Sequence, residues 1–157
     1  VKKGIATFAA ILWSVAAALA QQNQTPAAGG PVDDYLHSHQ QQVLEEFTRF
    51  LAIPNVASDT ENIRKNADAL MAMLQKRGLK TQLLQVENAP PVVYAEMRAM
   101  PGKRTVIFYA HYDGQPVQKR DWKQDPWQPL TVGDRIYARS ASDDKAAVIG
   151  LLTALDA

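Results

Sequence analysis

The sequence contains no cysteine. Its absence excludes disulfide staples, thiolate zinc sites, a cysteine nucleophile and a lipid-modified signal cysteine. An excess of one charge is also lacking: 17 Lys and Arg stand against 16 Asp and Glu, a net charge of +1. Nucleic-acid binders carry a clear basic excess, so no nucleic-acid partner is expected. Nor is there an apolar run as long as the roughly 20 residues of a spanning helix. At 46% hydrophobic and 21% charged, the composition is that of an ordinary globular chain, and 157 residues amount to one domain or less.

The N-terminal residues carry a targeting pattern. Lys2 and Lys3 form a short basic start, residues 5–20 are almost wholly apolar, and Ala18-Leu19-Ala20 fits the small-x-small pattern of a cleavage site. This is the three-part layout of a secretory signal peptide over residues 1–20, so a secreted or periplasmic location is expected, with no stable membrane anchor after cleavage. Without that segment the chain would carry 15 basic and 16 acidic residues, a net charge of −1. Residues 21–31, QQNQTPAAGGP, are small and polar and read as a flexible linker. Residues 32–157 are then the folded part.

Two helices are expected first. Over residues 33–52, Leu36, Val43, Leu44, Phe47, Phe50 and Leu51 recur on one helical face, and Pro54 ends the run. Over residues 59–77, Ile63, Ala67, Leu70, Met71 and Leu74 form a second face. Asp59 or Thr60 suits the cap there, and Gly78 stands where a C-terminal glycine belongs. The period then shortens. Residues 79–87, 92–99 and 104–110 read as strands, separated by Pro90-Pro91 and Pro101-Gly102. Residues 106–110, VIFYA, are continuously apolar, as in a strand buried on both faces. Residues 131–138 suggest a further strand with a turn at Gly133-Asp134, and residues 144–156 a last helix. The order implies an α/β layered domain.

Chemistry concentrates at two places. His111-Tyr112-Asp113 follows directly on the 106–110 run, and ligand sites in open α/β sheets lie beyond the carboxyl ends of strands. A carboxylate beside a ligating imidazole fixes its tautomer and raises its basicity. A plain loop contact between His111 and Asp113 uses the same residues. Ser142-Asp143-Asp144-Lys145 opens the last helix. Taken alone, Ser and Asp there read first as a helix cap; the functional reading is one carboxylate bridging two divalent ions about 3.5–4 Å apart.

Taken together, YAHYDGQPV (109–117), DWKQDPWQPL (121–130) and DRIYARSASDDKA (134–146), with LAIPNV (51–56) upstream, resemble one family. It is the zinc metallopeptidase family of carboxypeptidase G, carnosinase-type dipeptidases, acetylornithine deacetylase and succinyl-diaminopimelate desuccinylase. The likeness runs from about residue 33 to the end, and the HYDGQPV wording is most like the dipeptidase branch. The resemblance implies a three-layer α/β catalytic domain of zinc exopeptidase type, truncated here, and a cofactor of two divalent ions, zinc. It implies His111 as a metal ligand, Asp113 as the catalytic-site acid that orients it, and Asp143 as the metal-bridging carboxylate. It carries no role onto Lys145, Arg139 or Tyr112. The family often has glycine where this chain has Ala138, Ser140 and Ala146, which questions the backbone just before Asp143.

The implied activity is hydrolysis of dipeptides or short peptides by a metal-bound hydroxide. Removal of an acyl group from an N-acyl amino acid uses the same metal chemistry, and a non-catalytic secreted binding module is the reading without it. Family members place their general base, further carboxylate ligands and a late histidine beyond the stretch matched here. The expectation is therefore an N-terminal fragment that is inactive alone, binds zinc weakly, and aggregates or forms a homodimer through uncovered apolar surface.

Overall fold

A computed structural model of the chain describes residues 30–97 and 100–157. The expected signal at 1–20 lies outside the described residues, as does the linker up to residue 29. Residues 35–157 form one compact unit.

Helix α1 spans Pro31–Leu51. Proline suits a first helical position because its missing N–H needs no partner there. Asp33 and Asp34 in the first turn and Arg49 in the last complement the helix dipole. Helix α2 spans Thr60–Lys76, and the Asp59 side chain caps it by accepting from the Asn62 N–H at 3.1 Å. Gly78 follows it at φ +79°, a left-handed turn that only glycine takes without penalty. Strands β1, Lys80–Leu84, and β2, Val92–Glu96, pair antiparallel from Lys80↔Glu96 to Leu84↔Val92. Helix α2 packs on this hairpin. Strands β3, Leu130–Val132, and β4, Arg135–Tyr137, form a second hairpin whose turn holds Gly133 at φ +62°. Helix α3 spans Lys145–Asp156.

The core lies between the helices. Phe50 of α1 meets Val148, Ile149 and Leu152 of α3, and Val43, Phe47, Leu70, Met73 and Leu74 close around them. Leu36 and Leu44, assigned by periodicity to the same face of α1, are instead exposed. Arg77, at the end of α2, ties the three helices electrostatically. Its guanidinium contacts Glu46 of α1 at 2.7 Å and Asp156 of α3 at 2.6 Å, with only 9% of its side chain exposed. Hydrogen bonds from Arg77 hold the Glu46 carboxyl below its ordinary pKa, against the opposing effect of burial.

One expectation is overturned. Residues 104–110 form no strand, and Val106, Ile107, Phe108 and Tyr109 are 69%, 88%, 67% and 87% exposed. A strand must find hydrogen-bond partners in other segments, and among the described residues none pairs with this one. The run meets the core only at its last residue, Ala110, and Tyr112 beyond it packs there too. The architecture is thus mixed α/β with its helical layer assembled, while the expected central strand lies open.

Candidate metal centre

The segment after α1 organises the site, and long-range partners claim its carbonyls one by one. Lys145 is fully buried. Its ammonium donates to the Phe50 carbonyl at 2.7 Å and the Ile53 carbonyl at 2.9 Å, and lies 4.4 Å from the centre of the Phe50 ring. It thereby closes the carboxyl end of α1, where a cation is favoured. Burial alone brings its pKa down to about 7. Asn66 of α2 donates to the Pro54 carbonyl at 2.7 Å. The Asn55 carbonyl accepts the Gly114 N–H at 2.7 Å, and Val56 bridges Gly114 in parallel.

Asn55 reaches further. Its side-chain amide, fully buried, donates to the Tyr112 carbonyl at 2.7 Å and to the Ser140 hydroxyl at 2.9 Å. Ser140 takes φ +62°, the left-handed conformation for which glycine was expected. The departure from glycine is therefore accommodated with the backbone shape retained. Tyr112 turns its hydroxyl inward to the Pro91 carbonyl.

His111 lies between three acids. Its Nδ1 faces the Asp113 carboxylate at 3.2 Å and the Asp113 carbonyl at 3.1 Å. Its Nε2 lies 3.1 Å from Oδ1 of Asp143. Its backbone N–H donates to the Asp144 carboxylate at 3.1 Å. Burial disfavours the imidazolium. The hydrogen bond to Asp113 and the charges of Asp113, Asp144 and Asp143 outweigh it, and the pKa rises above the ordinary histidine value. All three residues singled out from the sequence, His111, Asp113 and Asp143, thus converge. Asp144 takes the cap position of α3, as the helix-cap alternative expects, but its side chain makes no capping bond. Sequence reasoning missed Asn55, Ser140 and Lys145. Only the left-handed preference at position 140 left a signal. Trp122 and Trp127 are both half-buried in the 121–130 loop.

The donor set can be tested against a metal. With Asp113 on Nδ1, Nε2 is the nitrogen left to ligate. Two donors on a tetrahedral ion with bonds of about 2.0–2.1 Å sit roughly 3.3 Å apart, and the 3.1 Å between His111 Nε2 and Asp143 Oδ1 agrees. A nitrogen and a carboxylate oxygen suit zinc. Among the described residues, no three His, Asp or Glu side chains surround a single point. The pair therefore amounts to two candidate donors, short of the three protein ligands of a catalytic zinc.

An imidazole oriented by one acid and meeting a second is donor chemistry of metal-dependent hydrolases. Residues 107–157 match the family described as Peptidase family M20/M25/M40, and the chain belongs to that family over this span. It is similar to a Cys-Gly metallodipeptidase of Candida albicans, 32% identical over 146 residues, covering 81% of this chain and 30% of the relative. A Beta-Ala-His dipeptidase of Homo sapiens is 29% identical over 148 residues, covering 84% and 29%. The crystal structure of human carnosine dipeptidase 1 superposes with a TM-score of 0.70 at 27% identity, over 79% of this chain and 29% of that one. The chain thus spans about 30% of the length of the curated relatives it matches. The fold is that of an M20 peptidase domain in part, and both relatives are dipeptidases, the first of them a metallodipeptidase. No described helix is long and apolar enough to cross a membrane.

Proposed function

We propose that this chain provides the N-terminal part of the catalytic domain of an exported dipeptidase that cleaves dipeptides or short peptides with two divalent ions, zinc, at its centre. The observation that supports this best is the 3.1 Å approach of His111 Nε2 to Asp143, with Asp113 on the opposite ring nitrogen. The named activities of the two relatives, both dipeptidases, favour peptides over N-acyl amino acids. When bound, the metal would polarise the scissile carbonyl and lower the pKa of water. His111 and Asp143 hold it, Asp143 from the more exposed position, and Asp113 keeps the imidazole turned with Nε2 outward. Asp144 fixes the His111 backbone. The general base and remaining ligands come from sequence that the longer relatives have beyond the matched stretch. Export rests on the 1–20 pattern, and self-association on the exposed 106–109 run.

Zinc titration of the 157-residue chain tests this. Weak binding is expected, abolished by His111→Ala or Asp143→Ala, with no dipeptide hydrolysis. Binding indifferent to both substitutions overturns the metal assignment. Sub-micromolar stoichiometric binding accompanied by hydrolysis overturns the division of the site between this chain and further sequence.

A further inference from the structure

We infer that Asn55 is a positioning residue for the metal pair: it clamps the loop carrying His111 to the turn leading into Asp143. The inference rests on the metal reading proposed above and adds a residue outside it.

The argument begins with what the two ligands lack. His111 and Asp143 are 32 positions apart in the chain, and Asp143 is largely exposed, its side chain 76% accessible. Packing around the carboxylate therefore does not hold it beside the imidazole. The backbone on each side must be held instead. Asn55 does this from a fully buried position. One arm is the 2.7 Å bond to the Tyr112 carbonyl, next to His111. A second is the 2.7 Å bond from the Gly114 N–H to the Asn55 carbonyl, next to Asp113. The third is the 2.9 Å bond to the Ser140 hydroxyl, three residues before Asp143.

The chemistry requires an amide. The Asn55 nitrogen carries two hydrogens and spends one on Tyr112 and one on Ser140. A carboxylate of the same shape donates neither. Asn55 is in turn held from both helices, since Asn66 of α2 grips the Pro54 carbonyl and Lys145 of α3 the Ile53 carbonyl. Space is equally restricted. A Cβ at Gly114 would stand 2.8 Å from the Ser140 hydroxyl and 3.0 Å from the Asn55 amide oxygen. Glycine at 114 is what lets the three strands of chain meet.

The test measures zinc affinity by chelator competition alongside thermal melting, on the full 157-residue chain. Asn55→Ala and Asn55→Asp are expected to weaken zinc binding by about tenfold or more, the usual scale for losing a group that orients ligands. Ser140→Gly keeps the left-handed backbone and two of the three arms, so its loss should be smaller. Arg77→Met, remote from the pair, should lower the melting temperature and leave zinc affinity unchanged. If the Asn55 variants melt early but bind zinc as the wild type does, or if Arg77→Met weakens zinc equally, the positioning role is overturned. Should the Asn55 variants not fold, Gly114→Ala replaces them. It should weaken binding, and adding Ser140→Gly, which removes the 2.8 Å clash, should restore part of it. No weakening in Gly114→Ala overturns the inference. If the wild type binds no zinc, the metal reading fails separately. Nuclear Overhauser contacts between the His111 ring and Asp143 then decide: their loss in Ser140→Gly or Asn55→Asp supports the clamp, and their persistence in both refutes it.

Discussion

Two apolar stretches of this chain have opposite fates. Within residues 148–152 of α3, Val148, Ile149 and Leu152 are buried against Phe50. Residues 106–109, Val-Ile-Phe-Tyr, are among the most exposed large hydrophobic side chains described. Hydrophobicity does not separate them. The difference lies in where their backbone hydrogen bonds go. A helix satisfies its own peptide groups and needs only a surface to pack on. A strand needs neighbours for its peptide groups before its side chains can be covered. Where the chain leaves that run, the situation reverses within a few residues: Tyr112 and Gly114 are bonded to Asn55, and the candidate ligands begin.

The largest effect expected on the buried side is at Lys145. Replacement by alanine leaves the Phe50 and Ile53 carbonyls without their donor and removes a packed stem, so a loss of about 3 kcal/mol is expected in denaturant unfolding. A loss below about 1 kcal/mol would mean that solvent replaces the ammonium, and that this region is as open as the exposed run.

A smaller effect belongs to the Arg77 node. The Glu46 pKa is lowered in the folded protein, chiefly by its hydrogen bond from Arg77. The stability this contributes is present above the unfolded-state value of 4.5 and is lost as pH falls through the lower folded-state value. Melting temperature measured from neutral pH into that acid range should therefore fall less steeply in Glu46→Gln than in the wild type. Parallel curves would show that the pair contributes no pH-dependent stability.

The smallest effect on stability is expected at Ile107, 88% exposed. Ile107→Glu should change unfolding by less than about 0.5 kcal/mol and should reduce self-association in sedimentation experiments. A large loss of stability would show that the run is covered in solution, and the contrast with α3 would disappear.

Much of the fold was legible in the residues. The α1 and α2 boundaries follow from apolar spacing, Asp59 and Gly78, because those signals act within a turn or two of the chain. The turn at Gly133-Asp134 is read the same way, although the one strand expected over 131–138 is a hairpin of two, β3 and β4. The candidate pair was legible in part: the His111–Asp113 spacing and the acid before α3 suggested a meeting, and the folded chain brings His111 and Asp143 within 3.1 Å. The clamp was not legible. Asn55 and Ser140 are 85 positions apart, and Lys145 and Phe50 are 95 apart. No local pattern marks a polar residue whose partners lie that far along the chain.

By itself the sequence determined where helices start and stop, which of their faces are apolar, and which side chains have the chemistry to hold a divalent ion. Tertiary structure alone decided that Lys145 is buried as a helix closure, that Asn55 joins two loops, and that residues 106–109 stay open. The physical reason is range. Helical hydrogen bonds and caps close within a few residues, whereas strand pairing and buried polar contacts depend on which distant segments come together.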